Sequence, residues 1–181
     1  PKGFRAGDLQ LKNILKKAPR YKVSEAGVKH IEDLSGKDLT KTTKEVRETI
    51  EVTEGSTTRR GHKAVWFGPV GYKYTGAEHK AKPIPDNIKE LKNQVEDSLH
   101  LPRDYYDSVL MNKLPKGIDI PAHRDNESIF IQKDGTIGSV GVLSLGGNST
   151  IDIQRPHGKV IESHKIKSGD VKGLKAIEEA A

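Results

Sequence analysis

Four short apolar runs follow one another between residues 127 and 166, each stopped by a turn signal. They are ESIFIQ (127–132), GSVGVLSLG (138–146), STIDIQ (149–154) and KVIESHKI (159–166), with KDG, GGN and RPHG between them. Runs of this length, rich in Ile and Val and punctuated by Gly, Asn and Pro, read as strands joined by turns. An earlier run, YDSVLMN (106–112), has the same character. Ahead of it stands the best helix signal in the chain, PDNIKELKNQVEDSLHL (85–101). Ile88, Leu91, Val95 and Leu99 fall on one stripe at helical spacing, and Asp86 is placed to cap the start. One amphipathic helix followed by many short strands predicts a mostly β fold with flanking helices, a sandwich or barrel with helices on one side.

The first part of the chain is harder to read. Residues 1–20 lack periodicity and are expected to form an arm or linker. SEAGVKHIEDL (24–34) reads as a short helix capped by Ser24. Residues 35–62 are rich in Lys, Thr, Glu and Gly and read as a loop, with one strand at RETIEVT (47–53). AVWFG (64–68) reads as a strand, and a long loop with two tyrosines, Tyr72 and Tyr74, leads to the helix. The expected organisation is a basic extension over 1–60 and a β-rich domain over 61–181.

Charge divides along similar lines. Residues 1–82 hold 18 Lys and Arg against 10 Asp and Glu, a net of +8; residues 83–181 hold 13 against 15, a net of −2. Clusters such as KNILKKAPRYK (12–22) and TTRRGHK (57–63) suit a phosphate backbone, and equally a solvated basic surface. No apolar run approaches 18 residues, so no membrane span is expected. The absence of a secretory signal pattern and of cysteine points to the cytoplasm. Without cysteine, any metal must be held by His, Asp or Glu.

That makes PAHRDNE (121–127) the stretch of most chemical interest. In an extended segment residues i and i+2 share a face, so His123 and Asp125 would project together while Arg124 points away. An imidazole and a carboxylate are two legs of the two-His-one-carboxylate site that suits non-heme Fe(II). The same spelling also occurs in ordinary polar turns.

The motifs occur in a particular order: AVWFG, GYKYTG, the helix, YDSVLMN, DIPAHRDNE, VGVLSLGGNSTIDIQ and KSGDV. Over residues 60–172 this series resembles the AlkB family of Fe(II)/2-oxoglutarate-dependent dioxygenases, and HRDNE is closest in style to the AlkB domains of plant RNA virus replicase polyproteins. The resemblance implies a double-stranded β-helix, or jelly roll, with an N-terminal nucleotide-recognition lid. It implies oxidative demethylation of N-alkylated nucleobases, RNA by preference, with Fe(II) as cofactor and 2-oxoglutarate as cosubstrate. By position, His123 and Asp125 match iron ligands, and Asn112 matches the Asn that touches 2-oxoglutarate. Trp66, Tyr72 and Tyr74 fall in the base-binding lid region. The resemblance further implies methylated nucleic acid and other replicase domains as partners, and the host cytoplasm as location.

Each of these residues also has a plainer role: Asn112 at a strand end, Trp66 in the core, Glu127 orienting a turn, Gly146 and Gly147 in a tight turn. Leu114 stands where the family has a Tyr that binds 2-oxoglutarate. The distal iron-binding His and the Arg beyond it would fall after Ala181, so the C-terminal part is expected to be incomplete. His157 and His164 precede the GD of KSGDV, out of the family's order for that ligand. LKAIEEAA (174–181) reads as a helix by composition. The alternative function is a catalytically incomplete jelly-roll module that binds nucleic acid.

Overall fold

Leu9 and Leu11 alternate with Gln10 and Lys12, and the alternation makes a strand where an arm was expected. The computed structural model of the chain describes residues 4–5, 7–12, 28–31, 38–74, 76–118, 120, 140–155 and 158–174. Among these the order is β1 (Phe4–Arg5), β2 (Gly7–Lys12), β3 (Val28–Ile31), α1 (Thr40–Val52), β4 (Ser56–Thr57), β5 (Lys63–Phe67), β6 (Tyr72–Tyr74) and β7 (Ala77–His79). Then come α2 (Asp86–Ser98), β8 (Ser108–Pro115), β9 (Val140–Leu145), β10 (Ser149–Gln154), β11 (Val160–Ile166) and β12 (Val171–Leu174). The described chain is mostly β with two helices.

Seven strands form a sheet in the order β3-β12-β9-β2-β8-β5-β4, with β1 also paired to β8. Every pairing is antiparallel. β10 and β11 form a separate ribbon, as do β6 and β7. β2 lies between β8 and β9, matching Leu9 to Met111 on one side and to Leu143 on the other. The sheet therefore draws strands from both sides of the boundary expected near residue 60.

Strand alternation sends Leu9, Leu11, Val65, Phe67, Val109, Met111, Leu143, Leu145 and Val171 to one face. There they meet Val46 and Ile50 of α1 and Ile88, Leu91 and Val95 of α2 in a single apolar cluster. The stripe expected on α2 is the buried one. Pro85 occupies the N-cap position and no side-chain cap bond forms; Asp86 is the first helical residue, where its carboxylate meets the positive end of the helix dipole.

Two readings of the N-terminal part are corrected. RETIEVT lies largely inside helix α1 and forms no strand. Its β-branched residues favour a strand locally, but Val46 and Ile50, four apart, are buried against the sheet only as a helix, and this packing outweighs propensity. Within the helix expected at 24–34, residues 28–31 are instead β3, an edge strand held by β12 with Ile31 opposite Val171. The expected strands at 106–112, 138–146, 149–154 and 159–166 appear as β8 to β11. The run at 127–132 and the tail at 175–181 lie outside the described residues. Among the described residues no helix is long and apolar enough to cross a membrane.

The loop after α2 is tied down by one carboxylate. Glu96 is fully buried. Its Oε1 accepts from Lys92 Nζ (3.0 Å), Arg103 Nη1 (3.1 Å) and the Asp104 backbone N–H (3.2 Å). Its Oε2 accepts from Lys92 Nζ (3.0 Å) and the Tyr106 backbone N–H (3.0 Å). Asp104, at φ 60°, adopts a left-handed conformation within this loop, and its carboxylate takes a further bond from Lys92 (3.1 Å).

Candidate functional site

The other face of the large sheet is just as buried and much more polar. The residues alternating with the apolar set are Gln10 and Lys12 on β2, Ala64 and Trp66 on β5, Ser108, Leu110, Asn112 and Leu114 on β8, Val142 and Ser144 on β9, and Lys172 on β12. All of them are buried. One row crosses five strands: Lys172, Val142, Gln10, Leu110, Trp66. A buried face holding amides, hydroxyls and ammonium groups is costly unless those groups have polar partners, so it marks where polar chemistry is concentrated.

Asn112 lies near the end of this face, opposite Ala64. Its side chain is fully buried. Its Oδ1 lies 2.8 Å from Nε2 of His62, at hydrogen-bond distance. Its Nδ2 has no hydrogen-bond partner among the described residues. His62 is delivered by the turn leading into β5. Thr58 N–H donates to the His62 carbonyl (2.8 Å), Gly61 N–H to the Thr58 carbonyl (3.0 Å), and His62 N–H to Thr58 Oγ1 (3.2 Å). Gly61 has φ 86°, a conformation that favours glycine. The stretch TTRRGHK is thus a hairpin turn, with Arg59 and Arg60 exposed at its tip and His62 tucked beneath.

The aromatic residues expected in a lid lie next to this face. Trp66 is fully buried, and its Nε1 donates to the Val70 carbonyl (2.8 Å). Tyr72 is buried against it, ring centroids 4.7 Å apart and tilted by 39°. Tyr72 opens β6 and is matched to His79 on β7. His79 Nε2 lies 3.2 Å from Ser56 Oγ. Burial, helped by the positive charge of Lys82, holds the His79 imidazole below its ordinary pKa. Tyr74 ends β6, with its side chain outside the described residues.

The GD of KSGDV builds a turn. Asp170 Oδ2 accepts from the Lys167 N–H (2.9 Å), and the Asp170 carbonyl accepts from Ser144 N–H (3.3 Å). This sets β12 beside β9 and brings Lys172 onto the polar face. His164, on β11, is half-buried with Nε2 2.7 Å from Glu162 Oε1. Gly146, at φ 85°, turns the chain from β9 toward β10. Leu114 is fully buried two residues beyond Asn112. His123, Asp125, Glu127 and His157 lie outside the described residues.

Asn112, Trp66 and Tyr72 are therefore brought to one region. His62, Gln10, Lys12, Ser144 and Lys172 join them without having been singled out from the sequence. The alternation in DLQLK was the available signal for Gln10 and Lys12. Nothing local marked His62, because its partner lies 50 residues away.

No protein-family model matches the chain. An RNA replication protein of Grapevine virus A (isolate Is 151) is 27% identical over 100 residues, which is 55% of this chain and 5% of that protein. The chain thus spans about a twentieth of the length of the curated relative it matches.

Proposed function

We propose that the chain is an AlkB-like dioxygenase domain of a viral replicase, removing N-methyl groups from nucleobases in RNA. The observation that carries this reading is the Asn112 amide: buried, held at its oxygen, and presenting an N–H₂ with no partner among the described residues on a polar interior face. A donor so placed fits an anionic cosubstrate oxygen, the role the motif series assigns to this residue. RNA is favoured because the similar stretch belongs to an RNA replication protein. In this reading the large sheet is one wall of a double-stranded β-helix, and β10–β11 belongs to the facing wall.

His123 and Asp125 would hold Fe(II), and Asn112 would hold 2-oxoglutarate. With O2 as the oxidant, the metal and cosubstrate would couple decarboxylation of 2-oxoglutarate to succinate and CO2 with hydroxylation of an N-methyl group, and the resulting hydroxymethyl group would leave as formaldehyde. The protein's own residues bind and exclude. Asn112 Nδ2 donates to a 2-oxoglutarate oxygen. The packed Trp66–Tyr72 pair closes one side against water. Arg59 and Arg60, exposed at the hairpin tip, are available to phosphates.

The test is 2-oxoglutarate turnover to succinate, with formaldehyde release, on N-methylated RNA. Asp125→Ala is expected to abolish it, and unchanged turnover in that variant would overturn the proposal. A second reading follows from Leu114, an apolar side chain fully buried where the family places a hydrogen-bonding Tyr. It is a nucleic-acid-binding module without turnover. Salt-sensitive, metal-independent RNA binding with no succinate formed would favour it.

A further inference from the structure

A side-chain amide has two ends of nearly the same shape, and exchanging them swaps a donor for an acceptor. Which end of Asn112 faces a ligand therefore depends on what grips the other. The grip is His62, whose Nε2 lies 2.8 Å from Oδ1 at the buried edge of the sheet. We propose that His62 is a positioning residue that presets Asn112 as a donor toward a carboxylate oxygen. This inference rests on the dioxygenase reading, with 2-oxoglutarate as the carboxylate.

For Oδ1 to accept, His62 Nε2 must carry a hydrogen. A bare Nε2 would instead take a hydrogen bond from the Asn112 N–H₂. Oδ1 would then face the interior and repel an anionic oxygen. The backbone that carries the imidazole is itself fixed. The turn from Thr58 to His62 closes through three hydrogen bonds, and Gly61 supplies the left-handed residue it needs. A Cβ at Gly61 would come within 3.1 Å of Pro115 Cγ, so the turn also sits directly against the end of β8, three residues beyond Asn112. His62 and Asn112 are thereby locked by separate pieces of backbone. The donor is set before any ligand arrives, so little ordering remains to oppose binding.

The proposal is tested on the full chain by two readouts. The first is the ¹⁵N spectrum of the His62 ring in the unliganded protein, which reports which nitrogen carries hydrogen. Hydrogen on Nε2 is expected; a bare Nε2 overturns the proposal. This readout uses the unaltered protein and so stands even where a variant folds poorly. The second is calorimetric binding of 2-oxoglutarate with Mn(II) as the metal. His62→Phe keeps a ring but removes the donor, and is expected to weaken binding about tenfold, the size of one hydrogen bond. His62→Gln can donate from its own amide and is expected to recover most of that affinity. Two results overturn the positioning role alone: wild-type affinity in His62→Phe, or equal damage in a folded His62→Gln. Absence of 2-oxoglutarate binding by the wild-type protein with Mn(II) overturns the dioxygenase reading, and the positioning role toward this ligand with it.

Discussion

Replacing Glu96 by Ala should be among the most damaging single changes available in this fold. The carboxylate takes five hydrogen bonds, two of them from Lys92, whose side chain is 2% exposed. Its removal leaves the Lys92 ammonium with the Asp104 carboxylate, itself 60% exposed and facing water. It also strips the Asp104 and Tyr106 backbone N–H groups of their acceptor. Breaking a buried ion pair from one side costs about 3–5 kcal/mol. With a urea slope of about 2 kcal/mol/M, a loss of about 4 kcal/mol moves the unfolding midpoint down by about 2 M. The assay is urea denaturation followed by tryptophan fluorescence, which reports on Trp66, the single Trp of the chain. Pairing Lys92→Met with Glu96→Leu removes both charges and should restore part of the stability. Restoration stays partial because the two backbone donors remain unserved. A midpoint shift below about 0.5 M in Glu96→Ala would refute the idea that this carboxylate anchors the loop.

Other expectations can be checked in the same way. Trp66→Ala removes the largest fully buried side chain among the described residues and its bond to Val70, and should destabilise by about 3–5 kcal/mol in urea denaturation followed by circular dichroism, since the fluorescent probe is gone. The depressed pKa of His79 means that the unfolded chain binds a proton more readily than the folded one. Stability from this group is therefore present above its ordinary pKa of 6.5 and declines as pH falls below that value toward the folded pKa. Urea midpoints measured at successively lower pH should show the decline in wild type and a smaller one in His79→Asn. Reversing both exposed charges, Arg59→Glu with Arg60→Glu, should weaken single-stranded RNA binding. It should also flatten the slope of log affinity against log salt by about 0.7 for each phosphate that is no longer neutralised, with fold and urea midpoint unchanged.

What could be read in advance was whatever the chain settles locally. Ile88, Leu91, Val95 and Leu99 announce α2 because a stripe at helical spacing needs only its own segment to be visible. STIDIQ and KVIESHKI announce β10 and β11 because a short turn joins them. α1 was hidden because two apolar residues, Val46 and Ile50, carry its buried face amid Thr, Lys and Glu. β2 and β3 were hidden because they are short and their partners lie far along the chain. The candidate site divides the same way. Asn112 came from a motif series, whereas His62 became visible only once a turn and a strand met. Lys12 stood in a basic cluster that suits a solvated surface equally well, yet the sheet buries it.

The central position of β2 has a consequence for how the chain comes into being. Leu9 must pair with Met111 and Leu143, 102 and 134 positions later. At about 5–20 residues per second of synthesis, the first of those partners emerges roughly 5–20 s after Leu9. Through that interval the strand has no slot to enter, and its two leucines remain a hazard for misassembly. Pairings so distant in sequence also slow folding once the whole chain is present. Until β2 docks, β8 and β9 face each other across an open gap one strand wide. A peptide copying residues 4–12, supplied during refolding, should compete for that gap and trap the sheet in a form that the chain's own β2 can no longer complete.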